Sequence, residues 1–255
     1  MTAMTRRELL TQAAPAVTAA GMLRATAPAR ARAGEIKAIG FDAFTIFDPR
    51  ATAAAVEESF PGKGKDIYAT WRIRQFEYCW LRSLSRTYAD FRQVTADALV
   101  FACKSAKVDL TVATRLRLMD AAFQLEPWPD SVEALVAMRH AGIRLAYVSN
   151  LTPDILTALS RNAGISDLFE HRLSTDLVKA FKPDPRAYQM AEMAFDLPRD
   201  KIAFAAFAGW DAAGAKSFGL TTYWLDRLGA APEELGAAPD AILGELSELA
   251  SLLLK

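Results

Sequence analysis

The chain has 255 residues, 52% hydrophobic and 24% charged, which is ordinary globular material, long enough for one large domain or two small ones. Thirty basic and thirty acidic residues cancel, which excludes a long-range field that would gather nucleic acid or an anionic membrane surface, so any ligand must be selected locally. Cys79 and Cys103 are too few for a disulfide framework and have no metal-ligand spacing around them; both read as small buried apolar side chains.

The first segment differs from the rest. Residues 1–33 are rich in Ala, Thr and Arg, with Glu8 their one acid. Thr5-Arg6-Arg7-Glu8-Leu9-Leu10 resembles a twin-arginine export signal, residues 13–23 would be its weakly apolar middle, and Ala31-Arg32-Ala33 offers a small-x-small cleavage site. These features predict an export signal peptide and a periplasmic mature protein beginning at Gly34; a cytoplasmic protein with an alanine-rich tail is the alternative. No later stretch approaches the ~18 to 20 uninterrupted apolar residues of a membrane span, so the mature chain is expected to be soluble.

From Ile36 apolar runs alternate with amphipathic segments, which predicts an α/β fold with a Rossmann-like, doubly wound parallel sheet. Strands are expected in IKAIGFDAF (36–44), IRLAYVSN (143–150), KIAFAAFA (201–208) and LTTYWL (220–225). Helices are expected over 131–142, 152–164, 184–195 and 211–219, three of them punctuated by Gly142, Gly164 and Gly219. Residues 50–127 break the alternation and read as consecutive amphipathic helices. They predict a helical cap subdomain inserted into a core of residues 34–49 and 128–255, with Glu126-Pro127-Trp128-Pro129 as one hinge. An insertion directly after the first strand would cover the carboxyl ends of the sheet, where open α/β folds bind ligands.

Polar residues fall at those strand ends: Asp42, then Ser149-Asn150, then Lys182 in Phe181-Lys182-Pro183-Asp184, then Asp211 after Trp210. Singly, these read as helix caps, an Asx-turn and a solvated lysine. Their order resembles that of the haloacid dehalogenase superfamily. The resemblance implies this fold and a covalent role for Asp42. In the phosphate-transferring branches a second aspartate stands two residues after the nucleophile as general acid; here that place is Phe44, which has no proton to give. Those branches also hold magnesium through a further acid near the last motif, where this chain has only Asp211, with Phe207 about where the other carboxylate would be. An apolar neighbour beside Asp42 suits chemistry at carbon.

Residues 68–91, YATWRIRQFEYCWLRSLSRTYADF, resemble the cap helix of the L-2-haloacid dehalogenases, in which an arginine after a tryptophan receives the departing halide; here the pair is Trp71-Arg72. Arg72 shares a helix face with Phe76, and an arginine on an apolar face needs an anion. The resemblance implies that Asp42 attacks C2 of a 2-haloalkanoate and that halide leaves toward Arg72, Asn150 and the ring edge of Trp210. Asp211 would then deprotonate or orient the water that hydrolyses the ester. It further implies that Lys182 offsets two like charges in one cleft, Thr45 donates to the nucleophile, and Ser149 holds the substrate carboxylate. Tyr188 would order the site, and Phe76 and Phe91 would wall the C2 side chain. Trp71 and Trp80 read as core. No metal and no organic cofactor are implied; the partners are the haloacid, the halide ion and a second copy of the chain, joined through the cap as a homodimer.

The chain departs from the resemblance twice. Its first loop is one residue shorter and lacks the glycine before Thr45, and Ala206 and Ala208 replace a serine and an asparagine that help hold the nucleophile and the last aspartate. A hydrolase of the same fold acting on another small carboxylate or a phosphate ester, and a non-catalytic anion-binding protein, are the alternative readings. His140, at a helix end, and His171, after an expected loop at Leu168-Phe169-Glu170, are assigned no role.

Overall fold

The computed structural model describes residues 36–254; the expected export signal lies outside the described residues. In chain order the elements are β1 (Ala38–Phe41), the single turn α1 (Ala43–Ile46), α2 (Arg50–Ser59), α3 (Gly64–Leu84), α4 (Phe91–Ser105), α5 (Val112–Phe123) and α6 (Ser131–His140). There follow β2 (Arg144–Ser149), α7 (Pro153–Asn162), β3 (Phe169–Ser174), α8 (Pro185–Phe195), β4 (Ile202–Ala206), α9 (Gly209–Phe218), β5 (Thr221–Leu225), β6 (Ala241–Leu243) and α10 (Leu246–Leu253).

The strands form one six-stranded sheet in the order β3-β2-β1-β4-β5-β6, every pairing parallel. Alternation sorts its side chains into two cores. Ile39, Phe41, Leu145, Tyr147, Ala203, Ala205, Tyr223 and Leu225 face α6, α7 and α10, whereas Ala146, Val148, Phe204, Ala206 and Trp224 face α8 and α9. Both faces are covered, which is why the strands read as continuous apolar runs. At Gly40 a Cβ would lie 2.8 Å from Val148 Cγ2, so only glycine lets β1 lie flush against β2.

β1 lies between β2 and β4, and the connections from its neighbours depart to opposite faces of the sheet. The crevice at its carboxyl end is therefore the natural binding position. β1 itself stops at Phe41, short of the apolar run that contains it, because Asp42 caps the following turn: its side chain accepts from the Phe44 N–H at 2.9 Å.

β3 and β6 escape sequence periodicity. β3 is an edge strand reading FEHRLS, partly exposed and tied to β2 by an Arg144–Glu170 ion pair. The strand thus takes in Phe169 and Glu170, expected in a loop, together with the His171 that follows them. β6 has only three residues. α8 closes without glycine, on Asp196 in the left-handed conformation at φ 52°.

Helices α2 to α5 occupy the stretch between β1 and β2 and share a small core of their own, including Val56, Ile67, Trp71, Leu99 and Leu118. The return crossing at Glu126-Pro127-Trp128-Pro129, where a hinge is expected, is bonded to the chain leaving β1. Phe47 bridges Pro127, Asp48 N–H donates to Glu126 C=O at 2.8 Å, and Trp128 N–H donates to Ile46 C=O at 2.8 Å. Buried Trp128 also donates its indole N–H to Phe44 C=O at 3.0 Å, which ties the junction to the turn after Asp42.

Candidate active site

Asp42, Lys182 and Asp211 form one buried unit at the carboxyl edge of the sheet. Lys182 Nζ donates to Asp42 Oδ2 and to Asp211 Oδ2, both at 2.6 Å. The ammonium is fully buried and lies 5.1 Å from the centre of the Phe204 ring. Two carboxylates and one ammonium leave a single net negative charge in an apolar surrounding, an arrangement that holds only while the lysine is present. Burial alone would lower the lysine's affinity for its proton, but the charges of Asp211 and Asp42 outweigh it and raise the pKa above the ordinary value.

Burial likewise pushes Asp211 up to about 6, with Lys182 opposing and Asp42 reinforcing the shift. Tyr188, buried in the second core, donates its phenol to Asp211 Oδ1 at 2.7 Å. A carboxylate with a pKa near neutrality and fixed by a phenol can accept a proton from water. Because the Tyr188 bond favours the charged form of Asp211, its loss raises that pKa further. Tyr188→Phe is therefore expected to move the acid limb of the pH–activity profile from near pH 6 to higher pH, and an unmoved limb would detach Asp211 from the rate.

Asn150 is held by its neighbour: its Oδ1 accepts from the Lys182 N–H at 3.1 Å, which turns its amide N–H2 to the other side. A cavity of about 20 Å³ lies over this group, bounded by Asp42, Asn150 and Asp211 and by Phe44, Phe76, Phe207, Ala208 and Trp210. It has room for about one water molecule. Arg72 reaches over it from α3, its guanidinium 5.3 Å from the Phe44 ring centre and 5.0 Å from that of Phe76. Burial lowers the Arg72 pKa, against the pull of the Asp42 charge among others. A cation in so apolar a place favours an anionic ligand.

Three expected residues lie elsewhere or turn another way. The Thr45 hydroxyl donates to its own turn, to Asp42 C=O at 2.7 Å, and not to the nucleophile's carboxylate, because the short helical turn brings that carbonyl into reach. Phe91 is fully buried behind Phe76, 6.4 Å between ring centres, and packs on Phe123 and Phe181; it supports the cavity wall without forming it. Ser149, also buried, accepts from the Leu151 N–H at 3.1 Å and lies behind Asn150. Trp71 is core, as expected, and donates to Thr95 C=O at 2.8 Å. Trp80, in contrast, is half-buried and meets Trp210 edge-on at 5.4 Å, on the rim of an outer cavity of about 570 Å³.

The two sides of the site are joined by specific bonds. Phe76 of α3 lies 5.2 Å from Trp210 of α9, Tyr88 stacks on Phe181 at 4.8 Å, and Ser83 Oγ accepts from the Phe181 N–H at 2.9 Å, one residue before Lys182. Among the described residues no cluster of three or more His, Cys, Asp and Glu is placed to hold a metal ion, and no helix is long and apolar enough to cross a membrane.

A model of the haloacid dehalogenase-like hydrolases matches residues 9–219. The chain belongs to that family. It is 43% identical over 206 residues to an (S)-2-haloacid dehalogenase of Pseudomonas sp. (strain YL), covering 80% of this chain and 89% of that protein. It is 39% identical over 220 residues to haloacetate dehalogenase H-2 of Moraxella sp. (strain B), covering 86% of this chain and 98% of that one. Among solved structures, the L-2-haloacid dehalogenase of Xanthobacter autotrophicus with chloropropionic acid covalently bound superposes with a TM-score of 0.80 at 32% identity, covering 86% of this chain and 98% of that one.

In this haloacid dehalogenase-like hydrolase, sequence reasoning also passed over Gln75. Its Oε1 accepts from Arg72 Nη1 at 2.5 Å while its amide donates to Thr95 Oγ1, so it fixes the arginine's direction. The available signal was its place three residues after Arg72, on the same helix face. Phe207, singled out only as a missing carboxylate, proves to be a wall of the cavity.

Proposed function

We propose that the protein hydrolyses the carbon–halogen bond of short (S)-2-haloalkanoic acids, giving (R)-2-hydroxyalkanoic acids. The observation that carries this reading is the Asp42–Lys182–Asp211 unit facing Phe44 and Arg72 across a small, largely apolar cavity. It offers a nucleophile, a proton acceptor and an anion receiver, with Phe44 in place of an acid two residues after the nucleophile.

In the first step an oxygen of Asp42 attacks C2 from the side opposite the halogen. The C–O bond forms as the carbon–halogen bond breaks, the halide takes the bonding pair, and the configuration at C2 inverts. The halide leaves toward Arg72, with the Asn150 amide and the edge of Trp210 as further donors. Water is largely excluded, which matters because a hydrated carboxylate is a poor nucleophile. In the second step water attacks the carbonyl carbon of the Asp42 ester and gives a proton to Asp211. The alkoxide leaving group takes the water's second proton and departs as the 2-hydroxy acid, Asp42 regains its carboxylate with one oxygen from water, and Asp211 gives its proton to solvent. Haloacid and water thus become hydroxy acid, halide and a proton. Lys182 balances the like charges of Asp42 and Asp211 before the ester forms and after it is hydrolysed.

The test is halide release from L- and D-2-chloropropionate by the purified protein, with chelator and no added metal. Release from the L isomer alone is expected; magnesium-dependent hydrolysis of a generic phosphate ester without halide release would overturn the reading.

A further inference from the structure

The cavity wall comes from two parts of the chain. Phe76 and Arg72 belong to α3, whereas Phe44 and Phe207 belong to the turns after β1 and β4. Phe44 is bonded at both ends of its peptide unit: its N–H donates to Asp42 and its C=O accepts from Trp128. The Phe207 backbone is bonded to β5, its C=O accepting from Trp224 Nε1 at 3.0 Å. The two rings lie 5.9 Å apart and close the space beside Asp42. About 20 Å³ remains beside Asp42, room for about one water molecule.

We propose that Phe207 sets chain-length specificity. With Phe44 it fills the space beside Asp42 that a C2 side chain would occupy, so that haloacetates are preferred and each added carbon on C2 lowers kcat/KM. This deepens the reading of the site as a haloacid dehalogenase and rests on it. The family resemblance assigns Phe207 no such role, and the neighbouring Ala208 leaves no polar side chain to compete with the ring for the space. A methylene excluded from, or admitted to, an apolar pocket changes kcat/KM by about 10-fold or more.

The test compares bromoacetate, L-2-bromopropionate and L-2-bromobutyrate, which share a leaving group, in the wild type and in Phe207→Ser and Phe207→Ala. The wild type is expected to lose about 10-fold or more per added carbon, and the two variants to raise the bromobutyrate-to-bromoacetate ratio by about the same factor. A wild type indifferent to chain length, or a ratio unmoved in the folded variants, overturns the inference while halide release leaves the dehalogenase reading standing. Binding of acetate, propionate and butyrate, followed by tryptophan fluorescence, asks the same question without turnover. Affinity should fall with length in the wild type and recover in Phe207→Ser, and equal affinities overturn the inference even in a protein that releases no halide.

Discussion

Asp42→Asn is expected to release halide at less than about one-thousandth of the wild-type rate, since the substitution removes the group that forms the covalent bond. The amide is nearly isosteric, and its one oxygen can keep the cap on the Phe44 N–H while its N–H2 replaces the oxygen that accepts from Lys182, which still bonds Asp211. The defect should therefore appear in turnover, with the fold retained. A single turnover of the wild type in ¹⁸O-labelled water gives a sharper version. The label should enter the protein at Asp42 and be absent from the first equivalent of hydroxy acid, because the product's new oxygen comes from the carboxylate. Label in the first product would mean that water attacks C2 directly, with Asp42 as its base, and the ester mechanism would be wrong.

Lys182→Met is expected to remove about 3–5 kcal/mol of stability together with activity, the usual result of leaving buried charge without its partner. The lysine side chain is fully buried and bonds both carboxylates. The loss should depend on pH in a definite direction. Asp211 is pushed up to about 6 by burial, against the influence of Lys182, so without the lysine its pKa rises further. A carboxyl whose folded pKa exceeds its unfolded value binds its proton more tightly when folded. The variant therefore loses stability as pH rises from near 3.8 through the folded pKa, and regains it on acidification. Lys182 itself shifts the other way in effect: its raised pKa contributes stability below the ordinary value of 10.5 and loses it only above. Thermal melts at pH 5 and pH 8 should show a larger deficit at pH 8, and an equal deficit would mean that the carboxylates have found another counterion.

The central sheet was readable because its strands are buried on both faces, and β1, β2, β4 and β5 each carry an unbroken apolar run. β3 was not, since an edge strand carries Glu170, His171 and Arg172 as protection against further pairing. Asp42, Asn150 and Asp211 were legible together with Lys182 through their order along the chain, which resembles that of the haloacid dehalogenase superfamily; polarity at a strand end does not decide by itself, since Ser149 closes β2 and turns to the Leu151 N–H. What the pattern could not supply was side-chain direction. Thr45 turns to its own carbonyl, Phe91 falls behind Phe76, and Gln75 braces Arg72 only because α3 and α4 pack as they do. Such choices are set by neighbours distant along the chain, as when Arg227 donates to Thr45 C=O at 2.9 Å while paired with Asp130.

The bond from Phe181 N–H to Ser83, at the end of α3, reaches across from the helices between β1 and β2 to the charged centre. The next residue is Lys182. The same short segment therefore carries both the tie to α3 and the ammonium between Asp42 and Asp211. A change at the Ser83 hydroxyl, far from the nucleophile in sequence, is for that reason one that the placement of the lysine should register.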